Sequence, residues 1–211
     1  MSLYSRLLVL LLVLTVVRAA PCEITLTQLN TIINGTTCPL TSQSVDECRT
    51  AAQALPFVNK GFSDYNITTI GEKAALLSLM AFESGGFQFN INDGNPGQGT
   101  RNLMEFPFVY QYAISKPFLT NQTRAIVPNV NSKRSPRSCP PDSLSFASAM
   151  WFYTQSGAQG QGCLEMPGMV QGLQQQSESG WENYITNCVG TTVTQERKQI
   201  YLQTLSILNG N

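Results

Sequence analysis

The segment Ala74-Ala75-Leu76-Leu77-Ser78-Leu79-Met80-Ala81-Phe82-Glu83-Ser84-Gly85-Gly86 decides how this chain is read. From Ala74 to Phe82 it is apolar nearly all round a helix. Such a helix is covered on every side and lies in the middle of a domain. Thr69-Ile70-Gly71-Glu72 is a capping box at its start, and Gly85-Gly86 stops it, which predicts a helix over 72–84. Glu83 then closes a buried helix. Apolar neighbours and the negative end of the helix dipole both penalise a charge there, and no Lys or Arg adjacent in sequence opposes them. The expectation is a carboxyl pushed upward, as a general acid working near neutral pH requires.

Downstream lies Pro96-Gly97-Gln98-Gly99-Thr100-Arg101-Asn102-Leu103-Met104. Small residues around one glutamine allow a backbone to approach a ligand closely. The Gly-Lys-Ser/Thr element of a phosphate loop is absent. Between the two segments, Phe87, Phe89 and Ile91 alternate with Gln88 and Asn90 before the turn at Asn92-Asp93-Gly94-Asn95, which predicts a small β-hairpin. Pro107 suits the first turn of a helix over 108–115, whose Tyr110 and Tyr112 would line a sugar groove. Further helices are expected over 44–55 from the box Ser44-Val45-Asp46-Glu47 to Pro56, over 144–155, from Ser179 to about Cys188, and over 192–208. The fold class is therefore α+β and mainly α: a helical domain with a central buried helix and a small hairpin.

The whole chain has 211 residues, 13 Lys+Arg, 13 Asp+Glu, six cysteines and no histidine. Without histidine there is no Ser-His-Asp triad, no Cys-His dyad and no histidine metal site. Chemistry must rest on carboxylates, Lys, Tyr, Ser or Cys. The apolar run at 7–17 after Arg6, followed by Ala19 and Ala20, reads as a secretory signal peptide over 1–19, with cleavage after Ala19 or Ala20. Its removal takes away Arg6 and Arg18 and leaves a net charge of about −2, which argues against nucleic acid and an anionic membrane as partners. Residues 20–211 make one domain, its halves joined by the Pro/Ser-rich loop 129–142. Lys133-Arg134 in that loop is a dibasic pair that reads chiefly as solvated surface. An even cysteine count in a secreted chain implies up to three disulfides among Cys22, Cys38, Cys48, Cys139, Cys163 and Cys188. No CxxC pair points to a metal. Asn34, Asn66 and Asn121 head glycosylation sequons. Together these features fit a eukaryotic, filamentous-fungal secreted protein.

Met80-Ala81-Phe82-Glu83-Ser84-Gly85-Gly86-Phe87 resembles the catalytic-acid segment of the lysozyme-like superfamily. The nearest form is the His-Glu-Ser/Thr-Gly-Gly element of family 19 chitinases, with Phe82 in place of His. Gly97-Gln98-Gly99-Thr100-Arg101-Asn102-Leu103, the helix Ala149-Met150-Trp151-Phe152-Tyr153-Thr154-Gln155, Tyr184-Ile185-Thr186-Asn187 and the closing helix follow in the family's order over roughly 50–210. The central segment is also similar to goose-type lysozymes and lytic transglycosylases. The resemblance implies a lysozyme-like fold and a glycoside hydrolase or lytic enzyme acting on β-1,4-linked N-acetylglucosamine glycans, either chitin or peptidoglycan. It implies no metal and no organic cofactor, and the expected state is a monomer.

By the same resemblance Glu83 is the general acid. The second carboxylate of the family has no clear counterpart. Asp93 is the first candidate base and Glu105 the second. Gln98, Arg101, Asn102, Tyr110, Trp151, Tyr153 and Asn187 are the candidate sugar-binding residues. The resemblance pairs Cys163 with Cys188. Cys22–Cys38 is expected as a local bridge, which leaves Cys48–Cys139. The alternative is a lysozyme-fold glycan-binding or effector protein that has lost turnover.

Overall fold

The computed structural model describes residues 23–38, 46–92, 94, 95, 97–120, 141–158 and 162–211. The signal peptide, Cys22, Asp93, Asn121, Lys133-Arg134 and Cys139 lie outside the described residues. Eight α-helices are found among those described: α1 (Leu26–Ile32), α2 (Ala51–Asp64), α3 (Ile70–Glu83), α4 (Phe106–Ile114), α5 (Asp142–Gln155), α6 (Met169–Gln174), α7 (Glu178–Asn183) and α8 (Gln195–Leu208). A 3-10 turn spans Cys163–Glu165, and a π-helical turn, Tyr184–Val189, continues α7.

Helix α3 is the axis of the fold. Every residue from Gly71 to Ala81 is buried, as its all-round apolar pattern demands. It packs against α8, α6 and α5, while α2 lies on α5 and α1 bridges α2 and α8. Gly71 lets α3 and α6 touch: a Cβ there would stand 1.8 Å from the Leu173 carbonyl oxygen. The Thr69 hydroxyl caps α3 by accepting from the Glu72 amide at 3.4 Å. The Glu72 carboxylate does not reach back to the backbone as a capping box would. It turns inward and accepts from the Thr69 and Tyr153 hydroxyls at 2.6 and 2.9 Å.

Two expectations are corrected in α2. The helix begins at Thr50, whose side chain exchanges capping bonds with Gln53; residues 46–49 of the expected span are not helical, and Ser44 and Val45 lie outside the described residues. It also runs through Pro56 instead of ending there. Pro56 sits in the second turn on the solvent face. Ala52, whose carbonyl loses its intrahelical donor, is also an exposed residue, so the proline costs less than it would inside a core. The expected hairpin shrinks to two isolated antiparallel bridges, Ile91 with Gly99 and Gly99 with Met104.

Among the described residues the disulfides are Cys163–Cys188, as expected, and Cys38–Cys48. The second replaces the expected Cys22–Cys38 and Cys48–Cys139. Cys38 and Cys48 are ten residues apart, and their Cα atoms stand 5.5 Å apart, a normal bridging distance. Among the described residues no helix is long and apolar enough to cross a membrane.

Candidate active site

Helix α3 stops in a Schellman turn: Gly86 N–H donates to the Ala81 carbonyl at 2.7 Å and Gly85 N–H to that of Phe82 at 3.3 Å. Gly85 takes φ 58° and Gly86 takes φ 67°. Phe87 follows at φ 70°, a conformation that strains a bulky residue. Its amide donates to the Ser84 hydroxyl at 3.0 Å, and further contacts hold it there. Its ring packs edge-on against Phe146 at 5.1 Å, and its carbonyl accepts from the Arg49 amide and from Arg101. The chain is thereby sent away from Glu83.

Glu83 opens into a cleft of about 460 Å³. Leu79, Phe108 and Phe152 supply apolar wall. Gln98, Asn102, Glu105, Thr191 and Arg197 supply polar groups. Arg197, in the first turn of α8, donates to Glu83 Oε1 at 3.0 Å and to the Thr192 carbonyl at 3.2 Å. Its guanidinium lies over the Phe82 ring at 4.6 Å. Glu83 is therefore ion-paired, and both side chains are largely covered, at 19% and 15% exposure. The absence of a neighbouring cation held only along the sequence: α8 brings one from 114 residues away. Tyr184 is buried nearby, and its phenol is pushed up by burial first and by the Glu83 charge second.

The described residues between α3 and α4 are tied together by side-chain hydrogen bonds. Gln98 accepts from the Asn92 and Asn95 carboxamides at 2.6 and 3.2 Å and donates to the Leu103 carbonyl at 3.0 Å. Asn102 Oδ1 accepts from the Thr100 and Ser148 hydroxyls at 2.7 and 2.8 Å. Glu47 closes no helix. Its carboxylate accepts from the Asn90 and Ile91 amides at 2.8 and 3.0 Å.

The structure thus brings Glu83, Glu105, Gln98 and Asn102 to one cleft and keeps other candidates out of it. Arg101 is fully buried. It donates to the Phe87, Phe89 and Glu47 carbonyls and faces Asp142 at 3.7 Å, so it is a strut for the loop and not a sugar ligand. Trp151 packs on Tyr112 at 5.1 Å. Tyr153 is bonded to Glu72, and burial with that charge pushes its phenol up. Both are core residues. Tyr110 is half-buried, with its ring 6.5 Å from Phe106. Asn187 is exposed and donates to Asn183. Neither Tyr110 nor Asn187 lines the cleft. Sequence reasoning missed Arg197 and Thr191. Their only local signal was proximity to the start of α8. Among the described residues no group of His, Cys, Asp and Glu converges as metal ligands.

No protein-family model matches the chain. It is 34% identical over 146 residues to the bifunctional dioxygenase–epoxy alcohol synthase of Fusarium oxysporum (strain Fo5176). That match takes in 66% of this chain but only 11% of the relative, so the chain corresponds to a small part of that protein. In structure it is similar to chitinase C from Streptomyces griseus HUT6037, with a TM-score of 0.52 and 12% identity, covering 88% of this chain and 92% of that one. A mutant of chitinase C gives a TM-score of 0.53 at the same identity and coverage. The goose-type and transglycosylase side of the resemblance has no counterpart in these neighbours. At this level of identity the likeness is one of fold alone: a mainly helical fold similar to that of chitinase C.

Proposed function

We propose that the chain is a secreted glycoside hydrolase that cleaves β-1,4-linked N-acetylglucosamine glycans, with Glu83 as general acid. One observation carries the reading. Two carboxylates, Glu83 and Glu105, line the same open cleft at the end of a buried helix, on the fold of a chitinase. In the forward step Glu83 gives its proton to the glycosidic oxygen as the bond to the anomeric carbon breaks. Glu105 takes a proton from the water that attacks that carbon. Inversion by this route requires about 6.5–9.5 Å between the two carboxyl groups, room enough for one water. Once Glu83 has lost its proton, Arg197 neutralises the carboxylate. Gln98 and Asn102, held by the loop's own bonds, present fixed polar groups to the sugar at little further ordering cost.

A second reading has its own support. Glu83 is ion-paired with Arg197 at 3.0 Å, and a carboxylate that stays paired has no proton to give. A glycan-binding protein without turnover would look the same. Incubation with chitin oligomers and with peptidoglycan separates the two. Chain shortening of either polymer supports the hydrolase. Oligosaccharide binding with no product selects the binding protein, and neither binding nor product removes both.

A further inference from the structure

A second hollow is bordered by Phe82 and contains neither Glu83 nor Arg197 in its lining. Its volume is about 700 Å³, within the range of about 300–1,000 Å³ usual for ligand sites. Its walls are Thr31 and Ile32 at the end of α1, residues 33–37 after it, the Gly85-Gly86 turn that ends α3, and Ile200 and Gln203 of α8. Its lining combines hydroxyls and carboxamides, from Thr31, Thr36, Asn34 and Gln203 among others, with the apolar Ile33 and Phe82, the mixture that suits a sugar ring with polar edges and an apolar face.

Asn34 stands on this wall and heads the sequon Asn34-Gly35-Thr36. It takes the left-handed place after α1 at φ 54°, where Asn34 N–H donates to the Thr31 carbonyl and Gly35 N–H to that of Asn30. Asn66 repeats this after α2 at φ 53°, with bonds to the Ser63 and Phe62 carbonyls, and Thr68 completes its sequon. Both asparagines are exposed, and neither carboxamide enters a hydrogen bond among the described residues. Helix capping accounts for an asparagine at such a place. The Thr36 hydroxyl also serves this turn by donating to the Ile33 carbonyl at 2.8 Å, whereas Thr68 makes no such bond among the described residues. The two sites differ in what they face: Asn66 lines a recess of only about 110 Å³.

We infer that Asn34 carries an N-linked glycan whose first N-acetylglucosamine residues lie in the 700 Å³ hollow, so that the chain's own sugar occupies it. The inference rests on the secreted reading above. Asn34 Nδ2 bonds to the anomeric carbon of a diphosphate-linked oligosaccharide donor, the carbon–oxygen bond to diphosphate breaks, and one amide proton is lost. Attachment at the rim gives the sugar an effective concentration of about millimolar, which a free oligosaccharide must exceed.

The test is to secrete the full chain from a glycosylating eukaryotic host and map its glycopeptides. Release by peptide N-glycosidase is then timed on native and denatured protein. Both Asn34 and Asn66 are expected to carry sugar. Native release at Asn34 should be at least tenfold slower than at Asn66, and denaturation should equalise them. Asn34→Asp tolerates the left-handed backbone and lacks the amide, so it should lose one glycan and remain folded. A bare Asn34 beside a modified Asn66 overturns the inference and leaves secretion standing. Equal native release at the two sites overturns the seating in the hollow. A chain kept inside the cell with both sites bare overturns the secreted reading itself.

Discussion

Replacing Arg101 by alanine tests whether this arginine is a strut or a ligand. Its guanidinium donates to the Phe87 carbonyl at 2.9 Å, to that of Phe89 at 3.0 Å and to that of Glu47. It also lies 3.7 Å from Asp142 and 5.0 Å from the Phe146 ring centre, with the side chain 0% exposed. Truncation removes one partner from a buried, charge-assisted set, which costs about 3–5 kcal/mol. Asp142 keeps Arg49 at 2.6 Å and is 17% exposed, so the lower end applies, about 3 kcal/mol. For a domain of this size each kcal/mol moves Tm by about 2–4 °C, giving a fall of about 6–12 °C in calorimetry. Arg101→Lys keeps the charge but loses the planar fork and should fall in between. An alanine variant that melts within about 2 °C of wild type and has lost oligosaccharide binding would refute the argument and return Arg101 to the sugar.

Further predictions follow from the same geometry. Gly71→Ala should destabilise by about 3 kcal/mol or more, because the new Cβ meets backbone at 1.8 Å. Gly61→Ala meets the flexible Met150 thioether at 3.3 Å and the Ala147 Cα at an ordinary 3.6 Å and gains helix propensity of up to about 1 kcal/mol, so its melting temperature should hold or rise. Peptide mapping without reduction should recover Cys38 linked to Cys48, and a Cys22–Cys38 peptide would contradict the fold. Burial pushes the Tyr201 phenol up to about 12 and also raises Tyr112, Tyr153 and Tyr184. Folding therefore favours the protonated phenols. Their contribution is whole below about pH 10, the unfolded value, and drains as pH rises from 10 towards 12. Tyrosinate absorbance measured together with circular dichroism should show these four ionising only as the fold is lost.

The helices were legible where a local signal agreed with the tertiary one. Thr69 caps α3, Pro107 lies in the first turn of α4, and the Ala74–Phe82 pattern placed the central helix. Pro56 misled because a proline's cost depends on whether the carbonyl it strands can reach water, and periodicity alone did not show which face it occupies. Ser44-Val45-Asp46-Glu47 had the letters of a capping box, yet Glu47 serves amides 43 and 44 residues away. Arg101 in a glycine-rich loop looked like a ligand because its partners are main-chain carbonyls, which carry no side-chain signature. Arg197 was invisible as the partner of Glu83 for the opposite reason: the pairing exists only once α8 has docked on α3. Trp151 and Tyr153 followed the ordinary fate of aromatics on a buried helix.

The central claim is that Glu83 protonates a glycosidic oxygen, and Glu83→Gln tests it most directly. Glutamine keeps the shape and a carbonyl oxygen for Arg197, and it removes the transferable proton. Product release from chitin oligomers should be measured for wild type and variant, with melting curves to show that both are folded. The account predicts that the variant melts close to wild type, binds oligomers and loses about 10²–10⁴-fold in turnover, the usual worth of a general acid. Equal turnover by the two folded proteins would contradict it.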